Sequence, residues 1–299
     1  MISVALAAYK GEKYIEQQLR SILPQLSYDD EIIVSDDKPG GMTEKIVRRL
    51  ADEDSRIIYV EGKGRGVVAN FINAIRYTKG DKIFLCDQDD VWLPQKLSRA
   101  VDQLKQTQAQ LYCSAFIAVD AELNPLEYHH SPLNQYTDYA HSLIYSTAAG
   151  CTFVFTHQAR SAAMAYDMDT HPAIIHDWLL HKIITVTGGK MIFDPTGSIY
   201  YRQHDHNAIG AQKSGLPGLA VRVKRFLSGS SRGVRSECAK ALLDVYGDRV
   251  DKEVRDALDL VANYAAFRKK RRILLKDPRF RTGTVNDLFF RILVRLKAL

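Results

Sequence analysis

Residues 83–92 read IFLCDQDDVW. Four apolar residues, Ile83 to Cys86, run directly into three carboxylates within four positions: Asp87, Asp89 and Asp90. A short apolar run of this kind reads as a strand buried on both faces. Carboxylates so close together repel one another and resist ionising at once. The segment makes physical sense only where positive charge meets it. A divalent cation supplies that charge compactly, and all-oxygen ligation favours Mg2+ or Mn2+. Mg2+ is commonly shared between one or two carboxylates and substrate phosphates, so the pattern predicts a phosphate-bearing ligand at this strand end. An Asp-x-Asp can also be a plain helix cap, so the neighbouring sequence must decide.

Working outward, strand and helix signals alternate. ISVALAAY (2–9), EIIVSDD (31–37), RIIYVEG (56–62) and KIFLCDQDD (82–90) read as strands. GEKYIEQQLRSILPQ (11–25), MTEKIVRRLAD (42–52), VVANFINAIRYT (67–78) and LPQKLSRAVDQLKQT (93–107) carry helical spacing. Such alternation predicts parallel βαβ units and a helix-covered sheet. Ligands of open α/β sheets bind outside the carboxyl ends of the strands. Asp36–Asp37 and Asp87–Asp89 both end strands there. Further on, LYCSAFIAVDA (111–121), AAGCTFVFTHQ (148–158) and GSIYYRQH (197–204) read as strands, and HDWLLHKIITVTG (176–188) as a helix. Residues 211–234, rich in Gly, Ser, Arg and Lys, read as a basic connector, and 235–275 and 284–298 as mostly helical.

The composition, 46% apolar and 25% charged over 299 residues, is that of a soluble globular protein. Cys86, Cys113, Cys151 and Cys238 are far apart without a CxxC pair. They are expected to be reduced core thiols of a cytosolic protein rather than a disulfide framework. MISVALAAYK lacks a basic leader and reads as a strand rather than a signal peptide. No apolar run approaches the roughly 20 residues that span a bilayer. Charge is divided unevenly. Residues 1–210 carry 20 Lys and Arg against 26 Asp and Glu, a net of −6; residues 211–299 carry 21 against 9, a net of +12. A basic tail seeks an anionic partner, phospholipid or nucleic acid. In VNDLFFRILVRLKAL (285–299), Leu288, Ile292, Leu293 and Leu296 fall near one helical face, with Arg291, Arg295 and Lys297 around it. That is the pattern of a helix lying on an anionic membrane surface. The competing reading is the solvated side of a helical bundle.

VALAAYKGEKYIEQQLRSIL (4–23), EIIVSDD (31–37), GVVANFINAI (66–75) and GDKIFLCDQDDVWLPQKL (80–97), in that order, resemble family-2 glycosyltransferases of the GT-A fold, in particular the rhamnosyltransferase-like branch of bacterial surface-polysaccharide synthesis. The resemblance covers roughly residues 1–210. It implies an α/β fold, a Rossmann-like mixed sheet flanked by helices, over 1–210, followed by the connector and a basic helical C-terminal region (235–299). It also implies roles for single residues. Ala8, Tyr9 and Glu12 would cradle base and ribose, and Asp36 would hydrogen-bond the base. Asp87 would serve the ribose and Asp89 the metal. The chain has Lys38–Pro39 where the family commonly has Gly-Ser. In IIHDWLLHK (174–182), Asp177 matches the family's catalytic base with His176 beside it, against the plain reading of a helix cap. In YYRQHDHNAIG (200–210), His204 would complete the metal or diphosphate site, and Arg202 or Asn207 would touch phosphate. TAAGCTFVF (147–155) resembles the acceptor-side segment, where small residues let backbone approach the sugar.

The implied reaction is metal-dependent, inverting transfer of a sugar, first of all L-rhamnose from dTDP-β-L-rhamnose, to a saccharide acceptor. That acceptor would be lipid-linked, at the inner face of the cell membrane. Phe153, Phe155 and Trp178 are candidates for an apolar wall against the methyl group of a 6-deoxy sugar. The alternatives are a UDP-hexose donor, a sugar-phosphate nucleotidyltransferase or a basic nucleic-acid-binding protein. A nucleotidyltransferase calls for a Gly-rich loop where AAYKGEKY (7–14) has one Gly. In the tail, cations alternate with aliphatic residues more than with the stacking aromatics that single strands require.

Overall fold

The computed structural model describes residues 1–129, 137–145, 149–167, 171, 175–204, 233–282 and 285–299. Its first half is the expected alternation. Strand β1 (Ile2–Ala8), helix α1 (Ile15–Ile22), β2 (Glu31–Asp36), α2 (Met42–Glu53), β3 (Ile57–Glu61), α3 (Val67–Tyr77) and β4 (Lys82–Asp87) follow one another. Strands β1 to β4 are parallel, in the order β3-β2-β1-β4. Every residue of β1 is buried, because helices cover both faces. Val4 and Leu6 point to the face covered by α1 and α2; Ala5 and Ala7 point to the face covered by α3. The register aligns Ala8 with Asp36 and Ala7 with Asp87. The acidic strand ends are therefore placed side by side along one edge.

Beyond β4 the sheet becomes mixed. A two-residue strand, β5 (Val91–Trp92), leads to α4 (Lys96–Thr107), β6 (Leu111–Val119), β7 (Pro125–His129) and α5 (Tyr139–Ile144). Then come β8 (Val154–Thr156), α6 (His157–Met164), α7 (His176–Val186) and β9 (Met191–Arg202). Strand β8 joins β4 and β6 antiparallel, and β9 lies parallel to β6. Strand β5 pairs antiparallel with the end of β9, Val91 opposite Tyr200 and Trp92 opposite Ile199. That short pairing draws Arg202 and His204 onto the 87–90 loop. Neither β5 nor α6 was expected: two residues carry no periodicity, and α6 is built largely of small residues.

Among the described residues, the C-terminal region forms α8 (Val234–Tyr246), α9 (Lys252–Asn263), α10 (Arg268–Lys276) and α11 (Val285–Arg295). Their apolar faces close over Leu143 and Ile144 of α5 and Leu179, Ile183 and Val186 of α7 in one continuous core. Helix α7 is thus covered twice, since Leu180 and Ile184 face the sheet. The expected apolar face of 285–299 divides: Leu293 is buried, whereas Leu288, Ile292 and Leu296 remain exposed. All four cysteines are free and buried, as expected. No described helix is long and apolar enough to cross a membrane. The connector expected at 211–234 lies outside the described residues except for Gly233 and Val234.

Candidate active site

The counter-charge to the acidic loop comes in part from the protein itself. Lys96, buried in the first turn of α4, lies near Asp87 and Asp90 and donates to the Cys151 carbonyl at 2.9 Å. Burial pulls its ammonium down from the usual range. Arg202 is buried as well. Its side chain donates to the carbonyl of Asp89 at 2.7 Å, to Gln17 Oε1 at 2.6 Å and to the Ala121 carbonyl, over the face of Tyr14. Its backbone N–H donates to Asp90 Oδ1 at 3.1 Å. The phosphate contact expected of Arg202 thus competes with a guanidinium already engaged in holding the 89–90 loop. Sequence reasoning missed Lys96. A cation in the first turn of a helix opposes the macrodipole and is a signal that something anionic lies nearby.

The three carboxylates diverge. Asp90 is buried against Arg202, with Oδ2 lacking a hydrogen-bond partner among the described residues, and burial pushes it well up. Asp87, at the end of β4, is raised to about 7 by burial, then by Asp89 and Asp177. Asp89 turns to His204, whose Nε2 lies 2.9 Å from Oδ2. The His204 ring stacks on Tyr14 at 5.3 Å. The two residues expected to hold a metal are therefore brought together. Both are partly open to solvent; the Asp89 carboxylate is a donor that suits Mg2+ or Mn2+, whereas the His204 imidazole is a softer one that fits Mn2+ better than Mg2+. A second cluster, Asp87, Asp90 and Cys151, has ligand atoms within 4.8 Å of one another. It fits such an ion less well, because burial keeps the Cys151 thiol protonated and a thiol is a soft donor.

Asp177 stands in the first turn of α7. Its Oδ1 accepts from the Trp178 N–H at 2.6 Å and its Oδ2 from the Gly150 N–H at 3.1 Å. Burial raises it to about 6 despite those bonds. Gly150 is needed here because a Cβ would collide with His176 Nε2 and lie 3.0 Å from the Asp177 Cβ. The close approach that small residues were expected to allow is made to the acid itself. His176 stacks on Phe71 at 3.8 Å; burial lowers it to about 3, so the ring is neutral. Behind Asp177, the last carbonyls of α5 are satisfied from two directions. Trp178 Nε1 donates to Ser142 and Tyr145 at 3.1 and 2.9 Å, Lys182 to Ser142, and Arg235 of α8 to Ile144 at 2.9 Å. Lys182 and Arg235 also lie over the Trp178 ring, at 4.0 and 4.8 Å. The expected apolar sugar wall is overturned here. Phe153 and Phe155 belong to the core beneath the sheet, and Trp178 packs under α5.

On the β1 side, Tyr9 is exposed and its backbone pairs with the Gln88 side chain, N–H to Oε1 at 2.8 Å and Nε2 to the carbonyl at 3.1 Å. Gln88, between the two aspartates of the motif, was also missed; an amide that donates and accepts can clamp a backbone unit. Thr43 receives the Gly11 N–H at 2.9 Å and donates to Glu12 Oε2 at 3.0 Å. The Ala8 carbonyl receives the Asp37 N–H and Asn70 Nδ2. Asp36 is fully covered, accepting from the Lys38 N–H at 3.0 Å and the Tyr59 hydroxyl at 3.3 Å. Contact between Asp36 and a nucleobase requires that cover to move. Asn207 lies outside the described residues.

Comparison with known proteins agrees with this geometry. Residues 3–166 match the family model for Glycosyl transferase family 2. A dTDP-rhamnosyl transferase, RfbG of Shigella flexneri, is 28% identical over 225 residues, covering 70% of this chain and 75% of that protein. S. aureus TarS (residues 1–349, in complex with UDP-GlcNAc) superposes with a TM-score of 0.58 at 14% identity, over 98% of this chain and 90% of that one. The mannosyltransferase PcManGT of Pyrobaculum calidifontis, in complex with GDP-Man and Mn2+, gives 0.54 at 17% identity, over 97% and 87%. These likenesses establish the GT-A fold, with helices in the C-terminal region.

Proposed function

The chain belongs to glycosyl transferase family 2 and is a glycosyltransferase; from that premise we propose that it transfers L-rhamnose from dTDP-β-L-rhamnose, with inversion, to a lipid-linked saccharide at the inner face of the cell membrane. The reading rests on one juxtaposition. Asp177, held by two backbone N–H groups, lies close enough to Asp87 for its charge to raise that carboxyl. A base thus faces the residue expected at the donor. Asp177 takes the proton of the acceptor hydroxyl as its oxygen attacks the anomeric carbon. With a pKa near 6 it is ionised at neutral pH and is a stronger base than an ordinary carboxylate. Asp87 serves the ribose, and Ala8, Tyr9 and Glu12 line the base and ribose, with Asp36 beneath. Asp89 and His204 hold Mg2+ or Mn2+, which when bound neutralises the charge that develops on the leaving diphosphate. Arg202 keeps Asp89 in position. In this reading residues 1–210 carry the chemistry and 235–299 the approach to the acceptor.

The donor assignment draws on the similarity to the Shigella rhamnosyl transferase. It is tested by direct competition of dTDP-rhamnose against UDP-glucose and UDP-galactose with one acceptor. Preference for dTDP-rhamnose is expected. Preference for either hexose removes the rhamnose assignment and leaves the family untouched.

A further inference from the structure

Large apolar side chains are exposed singly over the first half of the chain, Tyr9, Tyr28 and Met42 among them, whereas in the described C-terminal region those exposed are Phe267, Ile273, Leu288, Ile292 and Leu296, all on or beside α10 and α11. Each helix gives one face to the core, Leu274 from α10 and Phe290, Leu293 and Val294 from α11. What remains outside is ordered. Leu288, Ile292 and Leu296 recur every four residues, and they are 61%, 40% and 60% exposed. Scattered exposed leucines need no explanation, but three in one stripe form an unpartnered face. Arg291, Arg295 and Lys297 flank the stripe. Helix α10, packed against α11, presents Arg268, Lys269, Arg272 and Lys276 around Ile273. Among the described residues these cations form no ion pair, unlike Lys270, which pairs with Asp259.

We propose that α10 and α11 form a docking face for an anionic lipid surface, with Leu288, Ile292 and Leu296 seated at the headgroup boundary and the cations around them meeting lipid phosphates. The proposed lipid-linked acceptor supplies its purpose; the two helix faces supply its evidence. Charge selects the occupant. Two copies of so basic a face repel each other, whereas an anionic bilayer attracts it and also rewards burial of aliphatic side chains. Nucleic acid would reward the cations but not the leucines. At 9 and 11 residues, the two helices are too short to span a bilayer, so the proposed contact is with its surface.

The test uses the full chain and flotation with phosphatidylcholine vesicles, with and without phosphatidylglycerol. Wild type is expected to float only with anionic vesicles, and less as salt rises. Each cation reversed near the surface weakens partition by roughly fivefold or more. Arg272→Glu/Arg295→Glu and Leu288→Ser/Ile292→Ser/Leu296→Ser are each expected to lose at least about tenfold in vesicle binding, with donor hydrolysis in solution retained. All five side chains lie on the exposed faces, and the two variants fail independently if one misfolds. Unchanged flotation of both variants overturns the proposal, as does equal binding to neutral vesicles. A serine variant that loses only self-association in light scattering assigns the face to a second copy and overturns it too. Absence of any donor turnover in wild type sinks the glycosyl-transfer reading and leaves the flotation result standing.

Discussion

Two strand ends of this molecule look alike in sequence and differ in structure. Strand β2 ends in Asp36–Asp37, and β4 ends in Asp87 with Asp89 and Asp90 close behind. They lie on either side of β1 along the same edge. At β2, the backbone and a neighbouring tyrosine fill the oxygens. Asp37 accepts from the Gly66 N–H at 2.7 Å and the Arg65 N–H at 3.2 Å, and Asp36 accepts from Lys38 and Tyr59. At β4 the acids face other acids, a histidine and the start of α7. A carboxylate whose oxygens are met by its own surroundings offers less to a ligand until that cover moves. One set against other acids still has charge that a cationic ligand can meet.

The comparison breaks first at Asp89. Asp89→Asn is expected to abolish metal-dependent binding of a nucleoside diphosphate and to lower turnover by about a thousandfold or more, with little change in melting temperature. Titration calorimetry with and without Mn2+ reads this directly. An unchanged Mn2+ dependence would show that the two strand ends do not differ in the way argued.

Asp177→Asn comes next, with a turnover loss of roughly a hundredfold to ten-thousandfold and donor affinity retained. The wild-type turnover should fall as pH drops through about 6, where Asp177 takes up its proton. The stability effect runs the opposite way to that of a salt-bridged acid. A carboxyl raised in the folded state contributes stability that is fully present below the unfolded pKa and lost as pH rises through about 6. At pH 8 the Asn variant should therefore be more stable, by about 1–2 kcal/mol after allowing for weakened hydrogen bonds. A lower melting temperature with unchanged turnover would make Asp177 a helix cap and nothing more.

The smallest effect is expected at the saturated end. Asp37→Ala leaves the Arg65 and Gly66 N–H groups without their acceptor ahead of α3, and should cost about 1–2 kcal/mol in chemical denaturation. Activity at saturating donor should change little. A loss of turnover as large as that of Asp89→Asn would erase the distinction between the two ends.

How legible these features were depended on their range. The strands β1 to β4 and their helices could be read because a doubly covered strand must be continuously apolar and a one-sided helix must repeat near 3.6. The acids on the edge could be named by type and position, and Asp177 at a helix start through the family resemblance of IIHDWLLHK. Lys96 and Arg202 could not be assigned as internal counter-ions, because their partners are set by the short β5–β9 pairing and by the turn of α4. Gln88 could not be identified as a clamp without knowing that the Tyr9 backbone passes beside it. Phe153 and Phe155 were misplaced because residues near a site in sequence can point into the core beneath the sheet rather than toward the acidic edge.

The same division holds for the basic tail. Its charge, its helices and their amphipathic character are local properties, and the sequence by itself determined them. Which leucines are buried depends on what packs against the helix. Leu293 meets the core shared with α5 and α7, whereas Leu288, Ile292 and Leu296 face away from it. Only the tertiary structure decided that, and with it the placement of Arg235 over Trp178, next to the candidate base. Periodicity specifies that a face exists; the neighbour that covers it is chosen by contacts between segments far apart in the chain.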